Sequence, residues 1–276
     1  MTSQVRWALL ALTGFSWLAV GCTTYNTDCT GLVENPEEKI GYLAEDVPLD
    51  RAFARHANNA LGQLAADAML HARTSSTQTQ ETELGVFNGG AIRDEGVCVT
   101  RERLPRGELT RGELHEVLLF SNVVTTLDLT GAELLAMFEN SVSMLFPEGE
   151  VVVPPSGSGR FLQISEGSQL SVDCSLPVGS RVTGLQVGTR DVLLESPDAR
   201  YRVAISSFLL SGADGYTMLA GLGNDPDRNP RQAIEFGGTD AHLTAEYLSQ
   251  TYPASSGPEG GLRAEPRIDF ANCAAP

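Results

Sequence analysis

The stretch NVVTTLDLTGAELLAMFENSVSML, residues 122–145, changes period at its midpoint. Residues 122–129 are rich in β-branched side chains and read as a strand. From Thr130 the apolar residues recur at helical spacing, and Thr130 with Glu133 three positions on forms a capping box that starts a helix. A strand feeding straight into a capped helix is one half of a strand-helix-strand-helix order. The other half lies upstream: LGVF (84–87) reads as a buried strand and TRGELHEVLLF (110–120) as helical. Before them, LDRAFARHANNALGQLAADAMLHA (49–72) is helical in its apolar spacing, and RTSSTQTQETE (73–83) is a polar loop.

From residue 161 the pattern turns to period-two segments separated by Gly and Pro: RFLQIS, QLSVDCS, RVTGLQVG and RYRVAISSFLL. The second half is therefore expected to be mainly antiparallel sheet, with a late helix around DAHLTAEYLSQ (240–250) packing back on it. The fold class is α+β, a single mixed α/β domain over 49–252, and the Gly/Pro-rich stretch that follows makes 253–276 a terminal loop or tail.

The chain has 276 residues and 42% apolar residues, enough for a real core. A formal charge of −16 argues against nucleic acid as a partner, because a polyanion meets a repelling field. Positive charge is almost entirely Arg, with Lys39 the single lysine, so any anion site has to come from locally clustered arginines.

The N-terminus reads as a targeting segment. Arg6 precedes the apolar run WALLALTGFSWLAV, and AVGC ends at Cys22. A small residue directly before a cysteine resembles the bacterial lipobox, with residues 1–21 as signal peptide and Cys22 as the lipidated N-terminus; Ala19 departs from its usual leucine. Ordinary secretion or an uncleaved anchor are the alternatives. The polar residues 22–48 then form a tether, and the expected location is the cell envelope, with the membrane as partner through the lipid anchor. Setting Cys22 aside leaves Cys29, Cys98, Cys174 and Cys273, which favours two disulfides over a metal site in an exported protein. Three pairings are open; one ties the chain ends through Cys29 and Cys273 and leaves Cys98 with Cys174.

VFNGGAIRDEG (86–96) ends an apolar strand in two glycines and an arginine. Glycine permits positive φ or the close approach of a ligand, and Arg93 offers a rigid fork of donors to an anion; the same residues also make a plain turn. Together with LGQLAADAM (61–69), ELHEVLLFSNVVTTLDLTGAELLAMFENSV (113–142), GRFLQIS (159–165) and SSFLLSGADGY (206–216), FNGGAIR resembles the C-terminal, substrate-binding domain of the 5′-nucleotidase family over roughly residues 45–222.

That resemblance implies a nucleotide or nucleoside ligand and a role in nucleotide catabolism. It implies that Phe120 and Phe208 sandwich the base, that Asp214 accepts from ribose hydroxyls, and that Asn88 and Asn122 lie near the base. It further implies that Arg51, Arg55 and Arg93 meet phosphate or ribose, with Arg51 and Arg55 one helical turn apart on the same face. Ala91 and Ala213 stand where the family commonly has glycine, and Ala60 where it commonly has Asn.

The family's chemistry belongs to a separate metallophosphatase domain with two divalent metals. None of His56, His71, His115 and His242 stands in a DxH, GNH or HxH context. No catalytic residue and no metal ligand is therefore expected on this chain, and no cofactor, divalent metals entering only with a metallophosphatase partner in trans. A hydrolase acting on its own and a scaffold that has lost its ligand are the competing readings.

Overall fold

The computed structural model describes residues 33–74, 81–95, 100–150 and 159–275. The signal segment, Cys22, Cys29 and Cys98 lie outside the described residues. The first half runs β1 (Lys39–Leu43), β2 (Val47–Pro48), α1 (Arg51–His56), α2 (Ala60–Leu70), β3 (Leu84–Asn88), β4 (Arg103–Leu104), β5 (Gly107–Thr110), α3 (Arg111–Val117), β6 (Val124–Thr130) and α4 (Gly131–Val142). The second half runs β7 (Leu162–Ile164), β8 (Ser168–Asp173), β9 (Val182–Val187), β10 (Arg190–Asp191), β11 (Arg200–Ser206), α5 (Ser207–Leu210), β12 (Arg231–Gln232), α6 (Asp240–Thr251), α7 (Gly257–Gly260) and β13 (Ile268–Ala271).

A five-stranded sheet in the order β12-β6-β11-β3-β7 organises these elements. Alternation divides its side chains between two cores. Leu84, Val86, Leu127, Leu129, Val203 and Ile205 point to one face, where they meet Leu134, Met137 and Phe138 of α4 and the second sheet, β10-β9-β8-β13. Phe87, Val124 and Ala204 point to the other, against α2 and α6. Helix α2 is buried from Ala60 to Met69, and it lies so close to β3 that a Cβ at Gly85 would overlap the carbonyl oxygen of Ala66. That contact explains a glycine inside an apolar strand.

Two capping boxes make the strand-to-helix junctions. Thr130 with Glu133 starts α4 directly from β6, as its sequence predicts, and Thr110 with Glu113 starts α3 directly from β5. The mixed α/β single domain expected from the sequence is what forms, with the period-two segments mostly antiparallel.

The folded part is longer at both ends than composition suggests. Residues 39–48 are not tether: β1 pairs with β5, and β2 with β4. Residues 267–271 are not tail, because β13 adds a parallel strand to β8 and Arg267 donates to both carboxylate oxygens of buried Asp67 on α2, at 2.6 and 2.9 Å. Both strands have short apolar content inside polar, Pro-rich surroundings, and their pairing is long-range, so local pattern under-reads them.

The suggested pairing of Cys29 with Cys273 and Cys98 with Cys174 is also corrected. Cys174 and Cys273 form a disulfide, Cα–Cα 4.9 Å. The parallel register of β8 and β13 sets Asp173 opposite Ala271 and so brings the two following cysteines within bonding reach.

Candidate functional site

Sheet topology gathers the site. β11 runs parallel to β3 and antiparallel to β6, so the C-terminal ends of β3 and β11 and the N-terminal end of β6 share one sheet edge. Asn88 closes β3, Phe120 and Asn122 precede β6, and Phe208 follows β11 on α5. Together with Arg55, Arg93 and Asp214 they line one cavity of about 280 Å³. Seven of the eight expected residues are thus side by side, and the exception, Arg51, sits one turn before Arg55 on α1, outside the lining.

The glycines of NGGAIR do not supply positive φ, and Gly90 lines the cavity. A Cβ on Gly89 would overlap the carbonyl oxygen of Ala54 in α1, and one on Gly90 would overlap Gly159. What the glycines admit is neighbouring backbone: α1 and residue 159 close on the turn, which brings Arg55 and the Gly159 segment to the cavity wall. Arg93 is held by its backbone N–H, which donates to the Val117 carbonyl at 3.0 Å. Ala91 also lines the cavity, so the methyl group stands at the wall itself.

Phe120 is 51% exposed and Phe208 38%, values that remove them from the core and leave their rings to the cavity they line. The guanidinium of Arg93 lies over the Phe120 ring, 5.7 Å from its centroid. Two residues at the site have left-handed backbone. Ser121, between Phe120 and Asn122, has φ 48°, and Asp214 has φ 52°, both left-handed conformations that non-glycine residues seldom adopt.

The cavity is locally cationic within an acidic protein. Burial pulls the Arg55 guanidinium below its ordinary pKa, neighbouring Arg51 and Arg93 pull the same way, and Asp214 and Asp94 oppose them. Burial likewise raises Asp214 above the usual carboxylate range, with Arg55 and Arg160 opposing. The positive cluster and Asp214 therefore stabilise each other's charged forms across the cavity.

Two contributors were not anticipated from sequence. Arg160, anchored by donation to Ser143 Oγ at 3.0 Å, adds its charge beside Asp214. It stands in the GRFLQIS segment, where the only available signal was its adjacency to a motif glycine. Asp240 accepts from Asn122 Nδ2 at 3.1 Å across 118 residues, and no local signal marks it.

A second hollow, of about 460 Å³, opens between Glu166–Gln169 and Glu265–Arg267. It has no aromatic wall, and its arginine is already engaged by Asp67 and Glu265. Among the described residues no three His, Cys, Asp or Glu side chains converge as a metal site. The histidines are used elsewhere: His56 lies against Phe146, His71 stacks on Tyr247, and His115 meets His242 edge-on.

Residues 39–221 match the family described as 5′-nucleotidase, C-terminal domain. The chain belongs to that family. A 5′-nucleotidase precursor from Thermus thermophilus superposes with TM-score 0.64 at 29% identity, covering 86% of this chain and 40% of that one. An apyrase from Tabanus yao is 28% identical over 229 residues, 79% of this chain and 36% of its own length. The snake venom 5′-nucleotidase of Crotalus adamanteus is 30% identical over 209 residues, 71% of this chain and 32% of its own. The chain thus spans about a third of the length of these curated relatives. A 5′-nucleotidase C-terminal domain has two aromatic rings, amide groups, a carboxylate and a cationic cluster around one cavity here, a set of groups able to stack a flat heterocycle, accept from hydroxyls and pair with an anion.

Proposed function

We propose that this 5′-nucleotidase C-terminal domain binds a nucleotide or nucleoside in the cavity between Phe120 and Phe208. The base stacks on the two rings, Asp214 accepts from the ribose hydroxyls, and Arg55 and Arg93, with Arg51 behind them, attract the phosphate. The observation that carries this reading is that seven residues from separate chain segments meet at a single cavity with their rings exposed. Stacking contributes about 1–3 kcal/mol per base and charge-assisted hydrogen bonds about 1.5–3 kcal/mol each. After the cost of association, that supports binding in the micromolar-to-millimolar range.

The role that follows is substrate recognition in nucleotide catabolism, with phosphate-ester hydrolysis supplied by a metallophosphatase unit. The names of the longer relatives, an apyrase and 5′-nucleotidases, support that role. The Cys174–Cys273 disulfide suits an exported protein, and the AVGC sequence supports a lipid anchor on Cys22 in the cell envelope.

Calorimetric titration of the purified protein with adenosine and AMP tests the reading. Saturable heat with either ligand supports it, and silence at millimolar concentration removes it. The same preparation is expected to release no phosphate from AMP above buffer with Mn, Zn or Co present; chelator-sensitive release would instead favour a self-sufficient hydrolase.

A further inference from the structure

Asp240 stands at the start of α6, 3% exposed, and is bound to the segment carrying Asn122 from two sides. Its backbone N–H donates to the Asn122 carbonyl at 2.9 Å, next to an antiparallel bridge between Val123 and Thr239. Its carboxylate oxygens are also occupied: Oδ1 accepts from the Ala241 N–H at 2.8 Å and Oδ2 from Asn122 Nδ2 at 3.1 Å.

An ionised carboxylate accepts hydrogen bonds and donates none. The Asn122 amide can therefore present only its nitrogen to Asp240, and a flip would set two acceptor oxygens against each other in a buried place. With the nitrogen committed, Oδ1 is the end of the amide directed away from Asp240, and it takes no hydrogen bond from the described residues. Asn122 lines the cavity, so an acceptor of fixed orientation is offered there. A neutral Asn or Ser at position 240 would permit either orientation.

We infer that Asp240 is a positioning residue that fixes Asn122 as an acceptor toward the cavity, and so selects nucleosides whose base edge donates there through an exocyclic amino group. This rests on the reading of the cavity as a nucleobase site. Asp240 does not line the cavity, and its effect passes through the amide it orients.

The probes are adenosine and purine riboside, the same nucleoside without the amino group, titrated at pH 8, where the Asp240 carboxylate, pushed up to about 6 by burial, is ionised. The protein is expected to bind adenosine about threefold to tenfold more tightly, the range of one neutral hydrogen bond. In Asp240→Asn and Asp240→Ser the preference should fall to about twofold or less, because the amide is then free to turn and donate to the ring nitrogen. Asn122→Ala leaves Asp240 in place and should lose the preference as well. A thermal midpoint measured on each variant confirms that it folds. Preference retained in folded Asp240→Asn and Asp240→Ser overturns the inference while leaving the base site standing, as does equal affinity in the unmodified protein. Failure of the unmodified protein to bind either nucleoside overturns the base-site reading and the inference with it.

Discussion

The guanidinium of Arg93 covers the ring of Phe120, 5.7 Å from its centroid. Neither residue belongs to a regular element, so each restrains the other: the ring is steadied at the cavity mouth and the charge is held over an aromatic face. Removing Arg93 should therefore loosen the stacking wall and delete a cation. Arg93→Ala is expected to weaken adenosine about twofold to fivefold, from the lost cation–π contact, and AMP by at least tenfold more than that, from the lost charge-assisted bond. Calorimetry with both ligands reads the two effects separately; equal losses would move the contact from phosphate to ribose, and no loss would take Arg93 out of the site.

Phe208 is the complementary case. Its ring is 38% exposed, so truncation removes little core packing. Phe208→Ala should cost about 1–3 kcal/mol of adenosine binding through lost stacking while moving the thermal midpoint by only a few degrees. A large stability loss with unchanged affinity would make Phe208 a packing residue instead.

The local elements were legible because their signals are local. The strand and capped helix of 122–145 appear as β6, Val124–Thr130, and α4, Gly131–Val142, and the Thr130–Glu133 box forms as its spacing predicts. The site was legible only through family resemblance, since its residues come from the ends of elements, where periodicity carries no information. What escaped depends on distant register: β1 finding β5, β13 finding β8, Cys174 reaching Cys273, and Asp240 reaching Asn122. The glycines of NGGAIR were noticed for the right reason, close approach, but what approaches is the backbone of α1 and of Gly159.

The disulfide closes a long loop, with a sequence separation of 99 between Cys174 and Cys273, and restrains the unfolded chain accordingly. Reduction, or the double change Cys174→Ser and Cys273→Ser, should lower stability by about 2–5 kcal/mol and depress the thermal midpoint. A non-reducing peptide map should recover the two cysteines in one linked fragment. Linkage of Cys273 to Cys29 would contradict the register of β8 and β13.

Two buried groups should give the stability curve opposing slopes in acid. Burial, with His242 and Arg111 nearby, pushes His115 down to about 4 from 6.5, so the unfolded chain takes up a proton first and stability is lost as pH falls through that interval. Burial raises Asp240 to about 6 from 3.8, only partly offset by its bond from Asn122. Its ionised form therefore costs stability at neutral pH, a cost relieved as pH falls through 6 toward 4. Relative to the midpoint at pH 7, the midpoint at pH 4.5 should rise in His115→Gln and fall in Asp240→Asn. Changes of the opposite sign would refute the assignment of these groups.

The most direct test of the nucleotide-site account is a crystal structure of the protein grown with adenosine. The account predicts a purine ring between Phe120 and Phe208, ribose hydroxyls against Asp214, and the Asn122 amide facing the exocyclic amino group. A cavity left without purine density at saturating adenosine, or purine density in the hollow beside Arg267, would contradict it.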